Sequence, residues 1–338
     1  MTAPVSQRPE GPAPGSAAMT EVWTMGELLV EIMRPGVGIG LGEAGVFRGP
    51  FPSGAPGIFI DTVARLGHAA GIVSGVGDDA FGRCILERLA ADGVRTDLVE
   101  VVRGRATGVA FVAYQPDGSR EFIYHFDGTP AVMATAPDPA LLGTPRWFHV
   151  MGCSLLASEG FRAEILTTAE RFAAAGARLS FDPNLRPELL AGRSIEAVAG
   201  PVLRRAAVLL PGEEELRLLG GETTEDGCLE ALFARYPVEI VVLKRGARGC
   251  TVVTRDARVD VAAFAVRAID PTGAGDCFDA GFLCGLLEGR DLQSAARLAA
   301  AAGALNARAF GPMEGRISRR SVAALLRRGP ASKERVRP

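Results

Sequence analysis

The sequence predicts an α/β fold, in which a mostly parallel sheet is covered by helices on both faces and carries a small additional β-sheet. Short apolar segments alternate with amphipathic segments of helical period through most of the 338 residues. The apolar segments end in Gly, Pro or Asn, and two other segments alternate at period two. Strand, glycine-rich turn and helix in repetition are typical of a parallel sheet between two layers of helices.

Composition limits the classes of protein to which this chain can belong. The chain is 48% hydrophobic and 22% charged, with a formal net charge of −2, and its 338 residues suffice for one large α/β domain with additions or for two domains. This balance gives no broad basic surface and argues against nucleic acid as a partner. No apolar run is long enough for a signal peptide or a membrane span, so we expect no membrane partner. Six cysteines without a C-x-x-C pair favour reduced thiols and a cytoplasmic location.

The two ends of the chain differ from the rest. Residues 1–20 are rich in Pro, Ala, Gly and Ser and predict a disordered leader. Residues 331–338 predict a disordered, charged tail. The remaining residues, 21–330, are expected to form one domain.

The apolar segments predict the strands of the central sheet. Buried strands are expected at 69–77, 146–152, 177–184, 206–212 and 239–246. Helices are expected at 78–93, 158–176 and 225–236. In such sheets, ligands bind beyond the carboxyl ends of the strands, where Gly, Asn and Asp collect in this sequence.

The period-two segments predict a separate small sheet, which we call the lid. Residues 107–126 read as two strands around a Pro-Asp-Gly turn, which is typical of a hairpin. The strand-rich residues 22–36 and the glycine-punctuated segment after them are expected to join this hairpin. The lid strands would then lie within about 26–56 and 107–128, over the carboxyl edge of the main sheet.

One stretch carries most of the chemical information: DPTGAGDCFDAGFL, residues 270–283. Residues 264–270 are expected to form a strand, and a helix is expected from about Asp276. A glycine loop at a helix start presents backbone N–H groups and the positive helix end to an anion. Asp276 could then take the proton of a hydroxyl that attacks phosphorus. The alternative is that Asp276 is merely the N-cap of the helix and the glycines a tight turn.

This stretch resembles the C-terminal signature of the ribokinase-like (PfkB) carbohydrate kinases. Four further segments resemble motifs of that family in the same order: 74–82, 181–187, 211–216 and 243–249. The resemblance implies a ribokinase-like three-layer α/β/α fold with a β lid. It also implies ATP-dependent phosphorylation of a sugar hydroxyl, with ATP and Mg²⁺.

The resemblance also implies a role for individual residues. The N–H groups of Gly273, Ala274 and Gly275 would form an anion hole, and Asp276 would be the general base. Glu215 would organise Mg²⁺ through water. Asp270 and Thr272 would hold a monovalent cation such as K⁺. The implied nucleotide contacts are Asn184, Arg186, Lys244, Gly246, Gly249, Thr272, Gly273 and Gly275, with Arg245 as a further candidate.

The sugar end departs from the family pattern. Glu31 stands where many members have Asp, Ile58 where they have Asn, and Gly212 replaces the Asn that precedes the family's Glu. The implied sugar contacts are Glu31, Ser53, Gly54, Arg120 and Asp276, and His125 on the hairpin could also reach the sugar. The pattern most resembles the tagatose kinases, with 2-keto-3-deoxygluconate kinases as near neighbours.

Several alternatives stay open at this point. The expected substrate is a ketohexose such as tagatose or fructose, and the first alternative is 2-keto-3-deoxygluconate. A sugar-binding regulator without catalysis is an alternative of another class. Dinucleotide binding at 74–82 is disfavoured, because the glycine spacing there is not G-x-G-x-x-G. The apolar lid strands, and the resemblance, also predict a homodimer through the lid.

Overall fold

The computed structural model describes residues 20–185, 190 and 192–328. Its strands in chain order are β1 Val22–Met25, β2 Leu29–Val37, β3 Arg48–Ser53, β4 Ala70–Gly77, β5 Val99–Val102, β6 Gly108–Tyr114, β7 Arg120–His125, β8 Trp147–Met151, β9 Arg178–Asp182, β10 Ala206–Leu209, β11 Ile240–Lys244, β12 Cys250–Val253 and β13 Arg258–Val261. Nine of these described strands form a central sheet in the order β13-β12-β11-β10-β9-β8-β1-β4-β5.

The central sheet is parallel from β5 to β11, and β12 and β13 add an antiparallel edge. Its inner strands have no solvent-facing side: all eight residues of β4 and all five of β8 are buried. Strands covered on both faces are expected to be continuously apolar. This is the character from which the sequence predicted the strands.

The helices are α1 Ala55–Arg65, α2 Ala80–Ala91, α3 Gly152–Ala157, α4 Glu159–Ala174, α5 Ile195–Leu203, α6 Glu213–Gly220, α7 Glu225–Arg235, α8 Ala274–Leu287, α9 Leu292–Asn306 and α10 Arg319–Arg328. One apolar core joins the sheet to α1, α2, α8, α9 and α10 and contains Phe59 and Phe282. A second core joins the opposite face to α3–α7 and contains Phe161 and Leu216. The expected three-layer α/β/α arrangement is therefore confirmed.

The lid is a four-stranded sheet in the order β3-β2-β6-β7. Strands β6 and β7 form the expected hairpin, in which Val112 pairs with Phe122. The Asp79 side chain, which caps α2, also accepts hydrogen bonds from the N–H (2.8 Å) and hydroxyl (2.7 Å) of Thr107. The motif at 74–82 thus anchors the chain just before β6 to the main body.

Two details of the sequence-based prediction were wrong. Strand β1, predicted with the lid segment 22–36, lies in the central sheet between β8 and β4. Residues 264–270 form no strand, because the N–H groups of Ile269 and Asp270 donate to the carbonyl of Ala307 beyond the end of α9. The chain is thus drawn away from the sheet before it reaches the glycine loop.

The predicted leader and tail fall almost wholly outside the described residues. Thr20, the last residue of the predicted leader, is described and is buried. Among the helices of the described residues, none has the length and apolar character that a bilayer crossing needs.

Candidate active site

Three cavities converge on the start of α8 at the carboxyl edge of the sheet. The lid cavity lies beneath the lid, the polar cavity beyond the ends of β9 and β11, and the α8 cavity beside the glycine loop. Asp276 and Gly273 line both the lid cavity and the polar cavity, and Gly275 and Lys244 line both the polar and α8 cavities. The three cavities therefore form one continuous site.

The glycine loop is built around Gly273. This residue is the N-cap of α8 with a φ of 75°, a left-handed conformation that glycine adopts most easily. A Cβ at Gly273 would lie 2.4 Å from the carbonyl oxygen of Pro312. The N–H of Ala274 donates to the carbonyl of Pro271 at 3.1 Å. That N–H closes a turn, and the anion hole at Gly273, Ala274 and Gly275 stays a prediction.

Asp276 is the third residue of α8 and is 8% exposed. The N-cap alternative for Asp276 is therefore wrong, because Gly273 holds that position. The side-chain amide of Asn184 donates to Oδ1 of Asp276 at 3.4 Å. Asn184 has a φ of 36°, an uncommon conformation outside glycine, and sits just beyond β9. Asp276 thus lines both the lid cavity and the polar cavity.

A buried cation lies beside the loop. The ammonium of Lys244 is 2.8 Å from Asp182 and 3.2 Å from Asp279. Burial opposes the charge of Lys244, but the two carboxylates raise its pKa above the usual value. Burial alone would raise the pKa of Asp182, but the charge of Lys244 outweighs burial and lowers that pKa. Burial raises the pKa of Asp279 well above its usual range. Lys244 therefore stays charged, paired with Asp182.

Glu215 lines the polar cavity and joins two segments through hydrogen bonds. One of its oxygens accepts the N–H of Gly212 at 2.6 Å, and the other accepts the N–H of Leu185 at 2.7 Å. Burial and the nearby Asp182 raise the pKa of Glu215. Gly212 is the N-cap of α6, so the glycine that replaces the family's Asn contributes a backbone donor. The carboxylate holds the segment after β9 against the start of α6.

The lid cavity contains the five residues that the resemblance implied as sugar contacts. It is lined by Glu31, Ser53, Gly54, Arg120 and Asp276, together with Glu27, Leu29, Ala55, Ile58, Phe122, Tyr124, Phe126, Cys153, Thr272 and Gly273. The hydroxyl of Ser53 donates to Glu31 at 2.7 Å, and that of Ser154 donates to Glu27 at 2.5 Å. Two buried carboxylates are thus fixed in position.

His125 does not reach this cavity. Side chains alternate along a strand, and Phe122, Tyr124 and Phe126 of the same segment line the cavity. His125 therefore points to the opposite face of the lid, where it meets Phe111 edge-on at 6.2 Å between ring centroids. The expectation that His125 could contact a sugar was wrong.

The α8 cavity has a volume of about 480 Å³ and contains three of the expected nucleotide contacts besides the loop. These are Lys244, Gly246 and Gly249, and the walls are apolar, with Phe264, Val266, Ala300 and Ala304 among them. An apolar slot next to a cationic side chain and free N–H groups suits a base attached to a polyphosphate.

The other expected nucleotide contacts lie elsewhere. Asn184 lines the polar cavity and Thr272 the lid cavity. Arg245 is held by Glu213 and Glu225 at 2.7 Å each and is not among the residues that line the α8 cavity. Arg186 lies outside the described residues.

Five residues of the site were missed by sequence reasoning. Glu27 directly precedes the apolar start of β2, and Asp279 follows Asp276 by nearly one helical turn, so both carried a weak signal. Asp182 lies within the motif at 181–187 but was not singled out, and Tyr114 and Asn306 carried no signal that pointed to the loop. Tyr114 and Asn306 make hydrogen bonds to Thr272 across more than 30 residues of sequence.

Comparison with known proteins agrees with this geometry. The pfkB family carbohydrate kinase profile matches residues 53–318. A fructokinase-1 of Oryza sativa subsp. japonica is 33% identical over 299 residues, which cover 85% of this chain and 91% of the relative.

Solved structures agree as well. An Escherichia coli protein assigned as ribokinase II, crystallised with ATP and Mg²⁺, is 36% identical with a TM-score of 0.85, and the match covers 91% of this chain and 99% of that one. A double mutant of Vibrio cholerae fructokinase with bound fructose, ADP and potassium ion is 26% identical, with a TM-score of 0.77 over 92% of this chain and 100% of that one. The profile and the relatives span most of the sequence. This chain therefore belongs to the pfkB family of carbohydrate kinases and is an ATP-dependent enzyme of that family.

Proposed function

We propose that the protein transfers the γ-phosphoryl group of ATP to a hydroxyl of a neutral ketohexose, fructose or tagatose, with Asp276 as the general base. The observation that carries this proposal is the position of Asp276. Its carboxylate lies in the wall shared by the lid cavity and the polar cavity, at the start of α8. A sugar hydroxyl under the lid and a phosphate at the glycine loop would both lie next to it.

The proposed reaction is an in-line displacement at phosphorus. The sugar oxygen forms a bond to the γ-phosphorus as the bond to the leaving oxygen of ADP breaks, and the hydroxyl proton passes to Asp276. Asn184, which donates to Asp276 at 3.4 Å, orients the carboxylate. The N–H groups of Gly273 and Gly275 and the ammonium of Lys244 stabilise negative charge on the transferred group.

The family implies Mg²⁺, and the polar cavity fits such an ion. Among the described residues, no group of three or more His, Cys, Asp or Glu side chains could hold a metal alone. Mg²⁺ with ATP commonly needs only one or two carboxylates besides phosphates and water. Asp182 and Glu215 line the cavity and would hold the water shell. The ion supplies charge neutralisation between the phosphates.

The charges of the lid cavity favour a neutral sugar over 2-keto-3-deoxygluconate. Glu27 and Glu31 are both 7% exposed and line the cavity. A sugar carboxylate would be repelled by these two groups, whereas sugar hydroxyls can donate to them. Arg120, at the edge of the cavity, is the feature that favours an acidic sugar. The fructokinase relatives support the neutral ketose.

ADP release over a panel of fructose, tagatose, 2-keto-3-deoxygluconate and ribose tests the substrate. We expect the highest kcat/KM with one of the two ketohexoses. Highest activity with the sugar acid would mean that Arg120 outweighs Glu27 and Glu31. Sugar binding by calorimetry without ADP release from any sugar would instead identify a regulator.

Asp276→Asn tests the base. The variant should fold and bind ATP, while kcat falls by about 10²–10⁴, the usual contribution of a general base. Asp256→Asn, on an exposed turn, is the matched control and should keep full turnover. Near-normal turnover in Asp276→Asn would remove this residue from the mechanism. A cytoplasmic location stays a prediction from composition.

A further inference from the structure

Two loops contact each other at the start of the glycine loop. The first contains Asp270 and Thr272, the residues expected to hold a monovalent cation, and the second is the turn at 310–315. Asp270 is 1% exposed and Thr272 is 4% exposed. Whether a cation fits between the loops depends on what already occupies the oxygens of these two residues.

The carboxylate of Asp270 is occupied by three donors. Its Oδ1 accepts the N–H of Thr272 at 2.9 Å and the hydroxyl of Tyr114, and its Oδ2 accepts the N–H of Gly311 at 2.9 Å. Burial and Asp270 raise the pKa of Tyr114, so its phenol keeps its proton. Since a phenol has one proton to give, the hydroxyl of Thr272, 2.5 Å away, donates to the oxygen of Tyr114.

The backbone carbonyls of the two loops are bridged by a side-chain amide. Asn306, at the end of α9, is fully buried. Its Nδ2 donates to the carbonyl of Thr272 at 2.7 Å and to that of Pro312 at 3.0 Å. An amide NH₂ has two protons, and both are used here. The nitrogen lies between the two carbonyls, at the position where a shared cation would have to lie.

We propose that this kinase does not use a monovalent cation beneath its glycine loop, because Asn306 and Tyr114 cross-link the two loops in its place. The residues do not fit the K⁺ site that the family resemblance implied at Asp270 and Thr272. The fructokinase of Vibrio cholerae has been seen with a bound potassium ion. In this chain, Asn306 and Tyr114 are positioning residues: they hold Thr272, and through it Gly273, under the phosphate. The inference rests on the phosphate-binding role proposed for this loop.

Initial rates in potassium chloride and in tetramethylammonium chloride of equal ionic strength test the proposal. We expect kcat and the KM for ATP to agree within about twofold in the two salts, since Nδ2 of Asn306 already lies between the carbonyls of Thr272 and Pro312 and donates to both. Saturable activation by K⁺ of about tenfold or more would overturn the proposal.

A second measurement does not depend on turnover. Crystals soaked in Tl⁺, an anomalous scatterer of nearly the size of K⁺, should show no peak within bonding distance of the carbonyls of Thr272 and Pro312. The melting temperature of the wild type should be equal in the two salts. A Tl⁺ peak at these carbonyls, or a higher melting temperature in K⁺, overturns the proposal. The Tl⁺ soak and the melting temperatures test the cation proposal even if no sugar is phosphorylated. In that case the proposed function is wrong, and the cation proposal is still decided.

Asn306→Ser should create the cation site that the wild type lacks. The two carbonyls lose their donor, so turnover without K⁺ should fall by about 5- to 150-fold, the factor expected for unpaired buried polar groups. K⁺ should restore much of this loss and raise the melting temperature. Gln293→Ser, on the exposed first turn of α9, is the control and should respond to neither salt.

Tyr114→Phe is a second variant in case Asn306→Ser does not fold. It removes one donor from Asp270 and leaves the helix ends intact, so kcat should fall while the KM for the sugar changes little. A rise in the KM for the sugar with kcat unchanged would contradict the positioning role. So would an Asn306→Ser variant that folds and is as active as the wild type without K⁺.

Discussion

Glu31 illustrates how a single side chain departs from the family and still occupies the expected place. Where relatives use the shorter Asp, this chain has a carboxylate one methylene longer. The structure accommodates it by a 2.7 Å hydrogen bond from Ser53 on the neighbouring strand β3. The carboxylate therefore lies in the wall of the lid cavity, at a position fixed by β2 and β3 together.

We expect Glu31→Gln to weaken sugar use and to spare ATP use. A hydroxyl that loses a charged acceptor costs about 1–3 kcal/mol, so kcat/KM for the best sugar should fall by about 5- to 150-fold. The KM for ATP should stay nearly constant, because ATP is proposed to bind in the α8 cavity. Steady-state kinetics with each substrate varied in turn measures both quantities.

Glu230→Gln is the control for this experiment. Glu230 is exposed on α7, away from the lid. Its replacement should change neither constant. An equal loss of sugar and ATP use in Glu31→Gln would mean that Glu31 supports the fold of the lid and not the pocket.

At the scale of one element, α8 decides where the chemistry takes place. The helix begins with two glycines, at positions 273 and 275, that serve different purposes. Gly273 has a φ of 75° and lies against Pro312, Asn306 and Ile58. A Cβ on Gly275 would meet only the ammonium of Lys244 at 3.9 Å, in the direction of the phosphate space. Gly273 is therefore required by the fold, whereas Gly275 has room for a Cβ and is proposed to be required by the phosphate.

The two glycines should therefore respond differently to alanine. Gly273→Ala should lower the free energy of unfolding by at least about 1–2 kcal/mol, the cost of a left-handed residue with a Cβ, and lower turnover as well. Gly275→Ala should leave stability unchanged or raise it by up to about 1 kcal/mol, because alanine favours helix. Its turnover should nevertheless fall, since the new methyl faces the phosphate.

Urea unfolding and ATP kinetics on both variants measure this contrast. The pair provides its own control, because the same methyl group is added two residues apart. If Gly275→Ala unfolded as easily as Gly273→Ala, neither glycine position would have room for a Cβ. The separation of fold and ligand roles would then be wrong.

At the scale of the whole molecule, the lid leaves part of one face exposed. Its inner face lines the cavity, and its outer face carries Ile32, Phe111, Glu121, Ile123 and His125. Ile123, on the edge strand β7, is 43% exposed. A sheet with an apolar outer face is a surface on which a second copy can pack.

We predict a homodimer that forms through the outer faces of two lids. Light scattering at micromolar concentration should give twice the mass of the 338-residue chain. Ile123→Glu should shift the equilibrium toward monomer by placing a charge in the interface. Leu218→Glu is the matched control, because Leu218 is 44% exposed but lies on α6, away from the lid. A wild type that is monomeric at this concentration would contradict the prediction.

Local patterns predicted most of the elements and the centre of the site. Five strands and three helices were expected from apolar periodicity, because a buried strand or an amphipathic helix leaves its pattern in consecutive residues. The glycine loop and Asp276 were found for the same reason, as they lie within one short segment. The ends of the elements were less certain, since α8 begins at Ala274 and not at Asp276.

The tertiary structure alone decided the contacts between distant segments. Whether Asp270 holds a cation depends on Tyr114 in the lid and Gly311 after α9, and whether Thr272 does depends on Asn306. Residues 264–270 have the composition of a strand, yet the N–H groups of Ile269 and Asp270 donate to the carbonyl of Ala307 at the end of α9. Hydrogen bonds are satisfied by whichever groups the fold brings near, irrespective of separation along the chain. The sequence by itself thus determined the family and the fold and pointed to Asp276 as the proposed base, and only the folded chain decided which groups contact that carboxylate and its loop.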